Sequence, residues 1–275
     1  MSNLGLILDT NRKYNKLFKN NMHTVDNVPA LVYNIELLKA MQVYEIVIMV
    51  KTSAEKENNR VQLKPYFPNA DKFINYIVLE DLWSYKENAE IYKKGNSSFI
   101  FETFLFFKEV YVGEKRHCFD DLVVIPSNII TIGDTDRLAR SIYHNLDDDT
   151  FIAPLFNVMF ISGDADRNNI NRDNIDRDKG IIIFDRLIYN SIASLFTSQY
   201  FGNNHHSLAG YLFDYVEDTK EEFGLTAGTI SSGLFTVFST SDINNPFELM
   251  PCAEYLEAYK KLFKQYYLSY NPVVR

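Results

Sequence analysis

Three groups of side chains in this sequence have types and spacings that could do chemistry. Asp164 and Asp166 form a D-x-D pair, a pattern in which two hard carboxylates can hold a divalent cation against a nucleotide diphosphate. The pair opens the stretch 164–179, where Asp173, Asp176 and Asp178 alternate with Arg167, Arg172 and Arg177. Charge-rich runs of this kind are as a rule solvated loops. An EF-hand is not met, because the sixth position from Asp164 is Asn169 instead of glycine and the twelfth is Ile175 instead of glutamate. The second group, Arg12, Lys13, Lys16 and Lys19, comes after the first apolar run and could attract an anion. The third comprises His205-His206 and Asp147-Asp148-Asp149. Adjacent histidines on a helix diverge and do not readily share one ion, and the acidic triplet suits a polar helix exit. No serine or cysteine sits in a G-x-S-x-G context, so a nucleophile elbow is not expected.

Periodicity gives the strands and helices that carry these groups. Leu4 to Leu8 is a short apolar run that suits a buried first strand, and Ala30 to Met41 carries Leu31, Ile35, Leu38 and Met41 at helical spacing with Pro29 ahead of its first turn. Glu45 to Val50 is almost wholly apolar, as a parallel strand covered on both faces requires. The alternation continues with a strand at Ile74 to Leu79, a helix at Phe99 to Val110, a strand at Leu122 to Ser127 and a helix at Asp136 to Asn145. The first 150 residues therefore read as a doubly wound α/β layer with right-handed crossovers. Beyond them, strands are expected within Phe151 to Ile161, at Gly180 to Phe184 and at Leu234 to Ser239, with helices at Arg186 to Phe196, Ser207 to Val216 and Ala253 to Leu268. The expectation is one domain over 1–275: a core at 1–150, then a smaller antiparallel sheet extension and a closing helix at 151–275.

Composition bounds the function. The 275 residues carry 28 Lys and Arg against 36 Asp and Glu, a net charge of −8, which disfavours nucleic-acid binding by bulk charge. Two cysteines, Cys118 and Cys252, with no CxxC, give neither a disulfide framework nor a thiolate metal site, and a reducing cytoplasm is expected. The opening apolar run is too short for a signal peptide, and no stretch approaches the roughly 18 apolar residues of a membrane span. A phosphate-cradling loop after the first strand needs glycines, yet Asp9 to Asn20 has none.

In their order, these segments resemble the sugar-1-phosphate nucleotidylyltransferase superfamily. Asn27 to Leu38 resembles the helix after the family's signature loop, Glu45 to Val50 its second strand, Asp121 to Thr131 the strand that ends in its metal-binding aspartate, Gly180 to Phe184 a later strand and Ala253 to Tyr259 its closing helix. The resemblance implies a nucleotide-diphospho-sugar transferase-like fold, doubly wound and mostly parallel. It also implies a nucleotide pocket that has decayed. Leu8, Asp9 and Arg12 stand where the glycine- and arginine-rich loop belongs, Asn128 where the magnesium-binding aspartate belongs, and Glu248 near the second metal carboxylate. Degenerate domains of this kind mark the gamma and epsilon subunits of translation initiation factor 2B. Leu6 to Asp9 with its basic, aromatic sequel and Tyr255 to Val273 resemble the epsilon subunit more closely. A full epsilon subunit would also carry a hexapeptide-repeat β-helix and an exchange-active helical-repeat domain; neither is expected within these 275 residues, which read as a fragment or a reduced form.

The function this resemblance implies is that of a non-catalytic scaffold and regulatory subunit of the guanine-nucleotide exchange factor complex in translation initiation. Its partners would be the sister subunits and initiation factor two, in a cytoplasmic hetero-oligomer without cofactor, nucleic acid or membrane. The alternative is an active nucleotidyl- or glycosyltransferase whose Mg or Mn is held at Asp164 and Asp166.

Overall fold

Strand β1, Leu4–Asp9, is buried at all six positions. It pairs in parallel on both edges, with β4 (Glu45–Val50) on one side and β6 (Asp121–Pro126) on the other. The computed structural model describes residues 3–10, 24–25, 28–43, 45–87, 102–103, 105–106, 121–127, 129–133, 143–144, 153–154, 158–161, 181–185, 208–230 and 235–239. Beyond β4 lies β5 (Ile74–Val78), also parallel. Beyond β6 lie β11 (Ile181–Asp185), β10 (Val158–Ile161) and β12 (Ala227–Ile230), so the order across the sheet is β12-β10-β11-β6-β1-β4-β5. Only β11 runs against its neighbours, pairing antiparallel with both β6 and β10, while β10 and β12 are parallel.

This is the expected mostly parallel α/β architecture. The antiparallel extension continues the main sheet instead of forming a layer of its own. Smaller antiparallel pairs join β2 (Thr24–Val25) to β3 (Val28–Pro29), β7 (Ile129–Gly133) to β13 (Phe235–Ser239), and β8 (Tyr143–His144) to β9 (Ala153–Pro154). The last pair corrects the helix expected over 136–145, since Tyr143 and His144 are extended; a cross-strand partner ten residues on outweighs local helical spacing. The expected strand across 151–161 is two pieces, β9 and β10. The helices expected at 186–196 and 253–268 lie outside the described residues.

Helix α1, Ala30–Ala40, buries eight of its eleven residues against the sheet. It ends with Gln42 in the left-handed region at φ 57°, where Gln42 N–H donates to the Lys39 carbonyl and Val43 N–H to that of Leu38. These two bonds satisfy carbonyls that the helix itself leaves open. Helix α2, Ser53–Leu63, is largely polar and buries only Asn59 and Leu63. Its start is fixed by a capping box: Thr52 Oγ1 accepts from Glu55 N–H at 3.2 Å, and Glu55 Oε2 accepts from Thr52 N–H at 3.0 Å. A short helix α3, Trp83–Glu87, comes after β5, and α4, Leu208–Phe223, extends past the Val216 expected as its end.

The α1 face of the sheet holds the main core, with Ile7 of β1, Ile46, Ile48 and Val50 of β4, and Val123 and Ile125 of β6 meeting Leu31, Ile35 and Leu38 of α1. Gly5 shares that face. A Cβ there would lie 2.6 Å from Leu38 Cδ1, and Leu38 is itself wholly buried. Gly5→Ala is therefore expected to cost about 1–3 kcal/mol as an overpacking change. Urea unfolding of the two proteins, compared at equal slope, measures it.

Candidate functional site

The chain leaves β1 through α1 to β4 on one side, and returns from β5 to β6 on the other. The C-terminal ends of β1 and β6 thus flank the point where the winding reverses, which is where open α/β sheets place their ligands. Side chains alternate along β1: Gly5 and Ile7 face α1, so Asp9 shares the helix face, while Leu8 points to the opposite face. Leu8 is buried, and its carbonyl accepts Ser127 N–H at 2.9 Å, which carries the β1–β6 pairing one residue past β6.

Asp9, the last residue of β1, is 3% exposed. Burying a carboxylate is costly unless it is hydrogen-bonded. Here Oδ2 accepts from Asn59 Nδ2 of α2 at 2.8 Å, across fifty residues of chain. The bond lashes the end of the central strand to a helix that has little apolar surface of its own. Tyr76, on β5, lies in the same neighbourhood. Burial holds its phenol well above the ordinary tyrosine range, and the Asp9 carboxylate pushes it the same way; Asp71 and Glu57 add to this, and Arg60 opposes it. Arg60 is exposed and is kept charged by its hydrogen bond to Glu57, with the charges of Asp71 and Glu57 adding to that effect. On the other flank, Asn34 of α1 donates Nδ2 to the Ser127 carbonyl at 3.4 Å. Thr10 is buried one residue past β1, and its Oγ1 has no hydrogen-bond partner among the described residues.

Of the residues expected at the pocket, the structure places Leu8 and Asp9 at the end of β1. Arg12, Asn128 and Glu248 lie outside the described residues, as do Asp164 and Asp166 of the alternative metal pair. Among the described residues, no three His, Cys, Asp or Glu side chains come together to hold a metal. Sequence reasoning missed Thr10, Asn34, Asn59 and Ser127. Asn34 is the polar interruption of an apolar helix, and the Thr52–Glu55 capping box marks where α2, and hence Asn59, begins. Nothing local joins Asn59 to Asp9.

No protein-family model matches the chain, and no curated protein matches its sequence. Solved structures do. The inositol-1-phosphate CTP transferase from T. maritima is 15% identical with a TM-score of 0.56, over 94% of this chain and 96% of that one. The 4-diphosphocytidyl-2C-methyl-D-erythritol synthase from Anaerococcus prevotii is 11% identical with a TM-score of 0.53, over 93% and 96%. The CTP:phosphocholine cytidylyltransferase from Streptococcus pneumoniae is 12% identical with a TM-score of 0.50, over 92% and 100%. At these identities the likeness establishes the nucleotidyltransferase-like fold and leaves the chemistry to the residues. No helix among the described residues is long and apolar enough to cross a membrane.

Asn59→Ala removes the donor and leaves the buried carboxylate with one partner fewer, so it is expected to cost about 1–3 kcal/mol. A double-mutant cycle with Asp9→Ala checks it: the double variant should lose less than the sum of the two single losses.

Proposed function

We propose that this chain is a non-catalytic nucleotidyltransferase-like domain that serves as a scaffold and regulatory subunit of the guanine-nucleotide exchange factor complex in translation initiation. The observation that carries the non-catalytic part is the end of β1. A fold that binds a nucleoside triphosphate at its switch point needs backbone N–H groups there, and bare backbone to let the phosphates approach. This chain has a buried carboxylate at that point, succeeded by a long stretch without glycine. Asp9 is bonded to Asn59 and faces the helices, and its charge opposes an incoming polyphosphate in a setting that screens charge poorly.

The neutral Asn128 in place of a carboxylate supports the same reading, because a hard dication takes charged oxygen ligands. The assignment to translation initiation rests on the sequence resemblance of Leu6 to Asp9 and Tyr255 to Val273 to the epsilon subunit of the exchange factor. Sister subunits and initiation factor two are the partners it implies, and no cofactor is required.

The test is turnover. Incubated with pyrophosphate, magnesium or manganese and a panel of nucleotide sugars, the chain is expected to release no nucleoside triphosphate above a protein-free blank. Metal-dependent release that disappears in Glu248→Gln, or in the Asp164→Ala/Asp166→Ala variant, would contradict the proposal and establish an active transferase.

A further inference from the structure

Helix α2 turns a face to solvent that neither the sheet nor the crevice uses. All eleven of its residues are described, and only Asn59 and Leu63 are buried. At about 100° of turn per residue, Val61 lies diametrically opposite that buried pair. It is 69% exposed. Glu57 and Ala54 stand one and two turns before it and Lys64 one turn after it, all exposed and all on the same side of the helix. The helical path runs on past Leu63, since Lys64 N–H donates to the Arg60 carbonyl at 3.1 Å and Phe67 N–H to that of Leu63 at 2.8 Å. Exposed Pro65 therefore extends the same ridge.

Two lines run along this ridge. Helical spacing sets Ala54, Val61 and Pro65 in an apolar line, and Glu57 and Lys64 in a charged line beside it, about 6 Å before and 4.5 Å after Val61 along the axis. The charges are not cancelled at home. Arg60, on the flank of the charged line, is shared by two carboxylates, Glu57 at 3.3 Å and Asp71 at 3.3 Å, which leaves this trio with a net negative charge. Lys64 has no carboxylate within salt-bridge reach among the described residues.

A face with opposite charges at nearly equal distances from its apolar centre fits its own two-fold copy. Laid antiparallel, the two-fold keeps each line on its own side, so apolar meets apolar and Glu57 faces Lys64 of the second copy, twice. Laid parallel, it would set the charged line of each copy against the apolar line of the other. We propose that the solvent face of α2 forms a two-fold dimer of this chain, with α2 antiparallel to its copy, Val61 at the axis and Glu57 of each copy paired with Lys64 of the other. One short helix per copy makes an interface below the standard size, so the dimer is weak and forms by mass action. The proposal stands whether or not the pocket is catalytic.

Sedimentation velocity of the full chain, over a concentration series reaching about 1 mM, the weak end of specific affinity, tests it. The sedimentation coefficient is expected to rise with concentration from the monomer value towards that of a dimer. Val61→Glu sets carboxylate against carboxylate at the axis and should lower the association constant about tenfold or more. Glu57→Lys and Lys64→Glu should each weaken association, whereas the combined Glu57→Lys/Lys64→Glu variant should restore it, because the exchange again leaves opposite charges facing. Since these side chains are exposed, the variants should keep thermal midpoints close to that of the wild type. Val61→Cys gives a second readout should a variant fail to fold: on mild oxidation it should form a disulfide-linked dimer beyond any formed by the unaltered chain, which carries Cys118 and Cys252. A chain that stays monomeric throughout, a dimer that Val61→Glu leaves intact, a charge exchange that fails to restore association, or no added crosslink in Val61→Cys would each overturn the proposal.

Discussion

The rest of the molecule depends on β1 being covered from every side. It is paired on both edges and packed on both faces, so no residue in it can turn to water. A strand in that position has to be apolar, has to be small where a helix crosses closely, and has to find an internal partner for any polar group it carries. Leu4, Leu6, Ile7 and Leu8 meet the first demand, Gly5 beneath Leu38 the second, and Asp9 with Asn59 the third. The last of these fixes more than the strand. Since α2 buries only two residues, its single buried amide is a principal tie between that helix and the centre of the sheet.

The same bond shapes the crevice at the reversal of winding. A turn rich in glycine would leave main-chain N–H groups open to an anion. In this chain a carboxylate is placed there, its oxygen already engaged by an amide and a tyrosine phenol held neutral nearby. The buried carboxylate disfavours phosphate there, and the groups gathered around it come from three different elements, β1, α2 and β5. The nucleotidyltransferase-like frame is sustained by hydrophobic packing and needs no ligand to hold it.

How far the sequence discloses this structure depends on what each residue answers to. Runs buried on both faces, such as Glu45–Val50 and the strand at 121–126, announce themselves because nearly every position after the first is apolar. Helix α2 is invisible to periodicity, since a helix with two buried residues has almost no apolar stripe; its capping box is the signal that could have found it. Strand β12 is four residues with a glycine, short enough that its pairing with β10 decides its conformation. The Asp9–Asn59 bond cannot be read at all, because a polar pair fifty residues apart leaves no periodic trace.

The central claim is that a sheet of this kind, with a buried carboxylate at the reversal of its winding, works by assembling with other chains. Native mass spectrometry of the tagged chain, isolated from its own cells at moderate salt, tests this most directly. The account predicts a multi-subunit particle containing initiation factor two and related subunits. A lone monomer or homo-oligomer that carries a nucleotide sugar would contradict it.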